Sequence, residues 1–211
     1  MIDLRLGDCL EVMKDIPDAS IDAIITDSPY GTTACKWDSV INFDLMWEQL
    51  NRIIKPNGAI VLFGSEPFSS ALRMSNIKNY KYDWVWEKSM PTGMATSSFM
   101  PMKYHEIISV FVNKGKPTYN KIMMERSESG KVRAKTPIQS KSESNHIKLG
   151  SQDAKQYNPN KVNPKTILKF NSISNAPKGN KQHPTQKPIA LMEYLIKTYT
   201  NENETVLDFT M

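Results

Sequence analysis

Ile21-Asp22-Ala23-Ile24-Ile25-Thr26-Asp27-Ser28-Pro29-Tyr30 is the stretch on which the fold of this chain turns. Its first six residues form an isoleucine-rich run that stops at a polar, proline-bearing turn. That is the pattern of a buried strand delivering a loop at its carboxyl end. In open α/β sheets, ligands bind at that edge. The loop offers the Asp27 carboxylate, backbone carbonyls held in place by Pro29, and the aromatic face of Tyr30. Those parts suit an exocyclic amine on a planar ring. The carboxylate and a carbonyl accept its two N–H bonds, and the tyrosine stacks on the ring. The same four residues also read as a plain turn after a strand.

Upstream, Ile2 to Leu6 alternates as a strand does, and Gly7-Asp8 ends it. Leu10, Val12, Met13 and Ile16 then space out a short helix stopped at Pro17, so the chain opens β-α-β, the start of a parallel sheet. Downstream, the loop from Gly31 to Asn42 carries Cys35, Lys36 and Trp37, which either close over a ligand or pack the loop onto the body. Phe43, Met46, Trp47, Leu50 and Ile54 predict a helix, and Lys55 to Gly58 a turn after it. Ala59 to Phe63 reads as a buried strand, and Pro67 to Ile77 as a helix capped by Ser65. Tyr82 to Glu87 and His105 to Val112 are further strands, with a Met-, Ser- and Pro-rich loop from Lys88 to Met102 between them. His105 reads as an ordinary strand-end residue.

The 211 residues, 39% hydrophobic and 23% charged, suit one good-sized domain with an insertion. Two cysteines and three histidines at no ligand spacing argue against a metal site and against a disulfide framework. The amino terminus lacks the pattern of a signal peptide, and no run reaches transmembrane length, so a cytoplasmic protein without membrane contact is expected. The net charge of +5 is unevenly spread. Asn113 to Lys181 holds 15 Lys/Arg against 4 Asp/Glu, whereas the rest holds 12 against 18. This segment is either a solvated loop or the electrostatic footprint of nucleic-acid binding. Tyr119, Tyr157 and Phe170 are interspersed in it and are candidates to stack or wedge.

Order returns at His183-Pro184-Thr185-Gln186-Lys187-Pro188, followed by Leu191, Met192, Leu195 and Ile196 at helical spacing and by the strand Thr205-Val206-Leu207-Asp208-Phe209. The succession of Asp-Ser-Pro-Tyr, a basic middle, His-Pro-Thr-Gln-Lys-Pro and Val-Leu-Asp-Phe resembles the S-adenosylmethionine-dependent amino-methyltransferases of DNA. In particular it resembles their permuted β-type group, in which the catalytic motif precedes the cofactor motif. The resemblance implies a Rossmann-like α/β methyltransferase sheet with helices on both faces. It also implies residues 1–112 as the catalytic part, 113–181 as an inserted basic target-recognition segment, and 182–211 as the start of the cofactor-binding part.

The family's catalytic motif is usually Asp-Pro-Pro-Tyr. Ser28 replaces the first proline here, at a position the family uses through its backbone carbonyl. The resemblance implies that a base is flipped out of double-stranded DNA, that Tyr30 stacks on it, and that Asp27 and the Ser28 carbonyl accept bonds from its amine. Pro29 shapes the loop. The methyl then passes directly from S-adenosyl-L-methionine to nitrogen. Asp27 at the first position favours adenine N6 over cytosine N4. Asp8, Lys187, Asp208 and Phe209 are the implied cofactor residues, with Lys187 a partner for the cofactor carboxylate. A restriction–modification or phage enzyme is the expected setting. The family's Gly-rich turn after Asp-Phe does not follow, so the sheet is expected to be incomplete at its carboxyl end. A fragment, a split or prematurely ended gene product, or a partner chain that supplies the rest, is expected on that ground, as is weak or absent activity in isolation. The alternatives are a cytosine-N4 enzyme, an enzyme acting on a protein amide, and an inactive DNA-binding remnant.

Overall fold

The computed structural model describes residues 1–32, 35, 38–135, 158–173 and 185–210. Two compact units result, one from Met1–Asn120 with Thr166–Met211 and one from Lys121–Lys165. In chain order the first unit contains α1 (Cys9–Val12), β1 (Ile21–Thr26), α2 (Phe43–Ile53), β2 (Ile54–Gly64), α3 (Phe68–Ser75), β3 (Tyr80–Thr92) and β4 (Lys103–Val112). The second contributes β5 (Met124–Glu125), α4 (Glu128–Lys135) and β6 (Lys161–Val162); β7 (Ile167–Phe170), α5 (Ile189–Tyr199) and β8 (Val206–Leu207) return to the first.

The main sheet runs β7-β3-β4-β2-β1-β8. β1 pairs in parallel with β2 and β8, and β7 in parallel with β3, while β4 lies antiparallel between β2 and β3. The expected α/β sheet is therefore present, mostly parallel with one reversed strand. Side chains alternate along each strand, which divides the core in two. Ile24, Ile60, Leu62 and Phe111 pack with Met46, Trp47, Leu50 and Ile53 of α2 and Phe68 and Leu72 of α3. On the other face Ala23, Ile25, Val61, Phe63, Trp84, Trp86, Ile108 and Val110 pack with Leu191, Leu195 and Tyr199 of α5. Helices thus cover both faces.

Local chemistry sets the ends. Asn42 caps α2, its side chain accepting the Leu45 N–H at 3.1 Å. Lys55 to Gly58, expected as a turn, is an irregularity inside β2: Ile21 faces Ile54, and Ala23 already faces Ala59. A side chain at Gly58 would lie 2.8 Å from the Asp22 carbonyl oxygen, so the close approach of β1 and β2 there needs glycine. Pro67, not Ser65, stands at the N-cap of α3, and Glu66 accepts the Ser70 N–H at 3.1 Å. β3 runs on through Thr92, taking up part of the expected loop. The expected strand at Ile2 to Leu6 is not formed, and Ile2, Leu4 and Leu6 are exposed. Alternation marks a strand only where a neighbouring edge accepts its hydrogen bonds, and no described residue does so there.

The turn leaving β1 is built by Asp38. Its carboxylate accepts the backbone N–H groups of Tyr30, Gly31 and Thr32 at 2.8, 2.9 and 2.9 Å. Gly31 sits at φ +68°, the left-handed region that lets three successive N–H groups converge on one anion. Replacing Asp38 by alanine is expected to lower stability by about 2 kcal/mol. Amide exchange should speed at Tyr30, Gly31 and Thr32 but not in the sheet. Unchanged protection of those three amides, followed by hydrogen-exchange mass spectrometry, would contradict this account.

Candidate active site

The carboxyl end of β1 and its neighbours carries a cluster of charges on the face that packs against α5. The register explains it. Ala23 and Ile25 point to that face, and Asp27 continues their alternation; Val61 and Phe63 do the same on β2. On β3 the buried series is Trp84, Trp86, Lys88, and on β4 the series is buried Val110 and Ile108 and partly buried Glu106. Each apolar stripe therefore ends in a charged or aromatic side chain at one edge of the sheet. Lys187 arrives from just before α5, whose N-cap residue is Pro188.

Asp27 is the centre of this group. One of its oxygens accepts the Tyr30 hydroxyl proton and the other receives Lys187 Nζ at 2.5 Å. Lys187 Nζ also stands 3.2 Å from Glu106 Oε2 and 5.2 Å from the centre of the Phe63 ring. Lys88 Nζ lies 3.4 Å from Glu106 Oε1. The four charges balance. Lys88 and Lys187 are the least exposed of them, at 6% and 11% of their side chains. Burial, reinforced by the negative charges of Asp27 and Glu106, pushes the Tyr30 hydroxyl well above the usual tyrosine range. Tyr30 is therefore a donor to Asp27 at neutral pH. Its ring packs against Phe68 with centroids 5.1 Å apart, so one face is already covered.

β8 brings the second motif alongside. Thr26 Oγ1 donates to Asp208 Oδ1 at 3.1 Å and accepts the Phe209 N–H at 3.3 Å, while Thr210 Oγ1 donates to the Asp27 carbonyl at 3.3 Å. The Asp208 side chain reaches the surface yet is closely ringed by protein. That partial desolvation pushes its carboxyl up, against the Thr210 N–H and Thr26 hydroxyl, which pull it down. Phe209 is buried in the core beside α2, so its ring is packing.

The expected site residues thus divide. Asp27, Tyr30 and Lys187 meet directly, and Asp208 joins them through Thr26 and Thr210. Ser28 is buried, and its Oγ has no hydrogen-bond partner among the described residues. That environment suits the proline common at this position in the resembled family. Pro29 is partly buried in the same turn. Asp8 serves as the N-cap of α1, accepting the Leu10 N–H at 2.8 Å, and no described hydrogen bond or ion pair links it to the others. His183 and Pro184, with Lys36 and Trp37, lie outside the described residues. The sequence reading missed Lys88, Glu106 and Asp38. For the first two a signal existed: each is a charge placed two residues along a buried, alternating series.

Away from this cluster, Phe170 packs on Tyr194 with centroids 5.8 Å apart, in the core under α5. In the Lys121–Lys165 unit, Arg126 donates to the Lys161 carbonyl at 2.8 Å and Glu125 pairs with Lys161, whereas Arg133 is exposed on α4. Tyr157 lies outside the described residues. Among the described residues no group of three or more His, Cys, Asp and Glu could hold a metal ion, and no helix is long and apolar enough to cross a membrane.

A family model described as DNA methylase matches residues 21–211. The type II methyltransferase M.HpaI of Haemophilus parainfluenzae is 28% identical over 222 residues, covering 98% of this chain and 63% of that protein. The DNA adenine methyltransferase YhdJ of Escherichia coli (strain K12) is 26% identical, covering 96% of this chain and 68% of that protein. The chain therefore spans about two thirds of the length of these relatives. The crystal structure of an M1.HpyAVI-SAM complex superposes with a TM-score of 0.59 at 25% identity, covering 99% of this chain and 82% of that one. With the family match running over nearly the whole chain and the sheet matching solved methyltransferases, the chain belongs to the DNA methylase family of N6 and N4 amino-methyltransferases.

Proposed function

We propose that this chain moves a methyl group from S-adenosylmethionine to the exocyclic N6 amine of adenine in DNA. The observation that carries the reading is Asp27, held by Tyr30 and Lys187 at the carboxyl end of β1, with Asp208 at the adjacent end of β8. The choice of adenine over cytosine rests on an aspartate at the first position of the motif.

The residues suit the cofactor's zwitterionic end. Lys187 supplies a cation for a carboxylate, and Asp208 an anion for an ammonium, on neighbouring elements. S-adenosylmethionine supplies an electrophilic methyl group on a sulfonium. Everything else falls to the chain. Asp27 and the Ser28 carbonyl accept the two N–H bonds of the amine, which localises its lone pair and aims it. Tyr30 stays protonated and fixes the Asp27 carboxylate. Asp38 fixes the loop that carries Tyr30. The contribution is position and electrostatics. The exposed Arg133 and the basic composition of its segment make the Lys121–Lys165 unit the proposed DNA-recognition element, while Arg126 is engaged within that unit by the Lys161 carbonyl.

Unmethylated genomic DNA incubated with the chain and labelled S-adenosylmethionine, then digested to nucleosides, should yield N6-methyladenine. Label in N4-methylcytosine would move the reading to the cytosine branch, and no label at all would sink it. Asp27→Ala is expected to cut the rate by roughly 100- to 1,000-fold while calorimetry shows cofactor binding retained; a variant with near-normal turnover would remove Asp27 from the site. For the recognition unit, Arg133→Ala should lower the slope of log affinity against log salt by about one. A slope identical to that of the parent chain would take α4 out of the interface.

A further inference from the structure

Glu106 presents an unusual buried oxygen. Its Oε1 faces Lys88 at 3.4 Å, but Oε2 is fully buried and accepts no hydrogen bond among the described residues, although Lys187 Nζ is only 3.2 Å away. The ammonium is instead aimed at Asp27, 2.5 Å off. A buried carboxylate oxygen that has an ion-pair partner but no aligned donor gains when that partner turns to bond it. At the same time both oxygens of Asp27 are occupied, one by the Tyr30 hydroxyl and one by Lys187. Each oxygen keeps a second lone pair, but an arriving amine must compete with these two donors for space and for the best-aligned lone pairs of Asp27. Tyr30 is held by its ring against Phe68 and adjoins the Asp38-bound turn. Lys187 has a long stem with several rotatable bonds, and beside it lies an acceptor to which it makes an ion pair but no hydrogen bond.

We infer that Glu106 is a positioning residue for methyl transfer: it takes Lys187 from Asp27 when the amine of the base arrives, so that the lysine has two stations and the empty site is self-blocked. In the first station Lys187 bonds Asp27 and only ion-pairs with Glu106 Oε2, at 3.2 Å and without an aligned hydrogen bond. In the second, Lys187 bonds Glu106 and the amine bonds Asp27. One charge-assisted hydrogen bond is exchanged for another, the ion pair with Glu106 gains an aligned hydrogen bond, and the local charge stays balanced. The buried Lys88 keeps Glu106 in place without satisfying both of its oxygens. Phe63 underlies Lys187 at 5.2 Å and gives the ammonium an apolar, weakly attractive floor on which to pivot. This inference rests on the reading of Asp27 as the amine acceptor.

The test is a double-mutant cycle on the full chain with unmethylated DNA. Glu106→Gln keeps shape but removes the charge that would draw the lysine away. It is expected to lower kcat/KM for DNA by roughly 10- to 100-fold, with the melting temperature followed to separate folding from function. In a Lys187→Met background there is no lysine to remove, so adding Glu106→Gln should change kcat/KM by less than about twofold. Equal losses in both backgrounds would show that Glu106 acts by some other route, such as its hold on Lys88, and would overturn the relay. A single variant as active as the parent would overturn it too.

A second readout needs no turnover. The ¹⁵N–¹H signal of the Lys187 ammonium should move when deoxyadenosine saturates the parent chain and stay fixed in the Glu106→Gln chain. Movement in Glu106→Gln on adding deoxyadenosine would show that Lys187 leaves Asp27 without Glu106 and would overturn the relay. A chain that methylates DNA but shows additive variants fails only the relay. A chain that neither binds deoxyadenosine nor transfers methyl fails the proposed function and the relay with it.

Discussion

The bond between Lys187 and Asp27 ties the site to the fold. The two residues are 160 positions apart in the chain and meet at 2.5 Å. One leaves β1 and the other precedes α5, so the contact exists only if the helix lies on the sheet in one register. That register is fixed from the far end of the helix. The buried Tyr199 hydroxyl takes the Trp84 indole N–H at 2.6 Å and shares a proton with the Tyr82 hydroxyl at 2.7 Å. A polar bond inside an apolar layer fixes an alignment that apolar packing alone would leave free to slide. The same layer that stabilises the domain therefore places the lysine.

Charge is handled at the site by pairing. Lys88, Glu106, Lys187 and Asp27 alternate in sign along a chain of contacts that runs across four elements. Any one of these charges alone at the edge of an apolar stripe would be expensive to desolvate. Together they form a neutral set whose internal bonds can be redistributed without moving net charge into the core.

Much of this was readable from residues, and the limits have physical causes. The helix from Phe43 and the helix after Pro188 were legible because burial on one face imposes a period. The strand into Asp27 was legible because it is buried on both sides and ends abruptly. Ile2 to Leu6 carries the same alternation without a partner strand, since a strand is defined by its neighbour as much as by itself. Phe170 stood out as an aromatic in a basic segment, yet β7 draws it into the main core. Asp8 matched a motif and also had the chemistry of a cap, which is its described role. Asp38 left no local trace: its work is to close a loop onto residues six to eight positions earlier, and only the folded turn shows that. Glu106 and Lys88 were hidden by proximity to a Met- and Pro-rich segment, though their place in the alternation marks them as inward-facing.

The reversed strand has a consequence for how such a domain diversifies. Because β4 runs against β3, the connection between them, Gly93 to Met102, lies at the same edge as Asp27 rather than at the opposite end. There it lines an open cleft with Thr32, Ser65 and Glu66, and it exposes Met94 and Phe99. Lengthening a flexible loop costs little, roughly 0.6 kcal/mol for each doubling. A hairpin tip is thus a part of the chain that mutation can extend or trim most cheaply, and here that tip stands at the sheet edge that carries Asp27. Insertions in it would reshape what reaches Asp27 while leaving both core layers untouched.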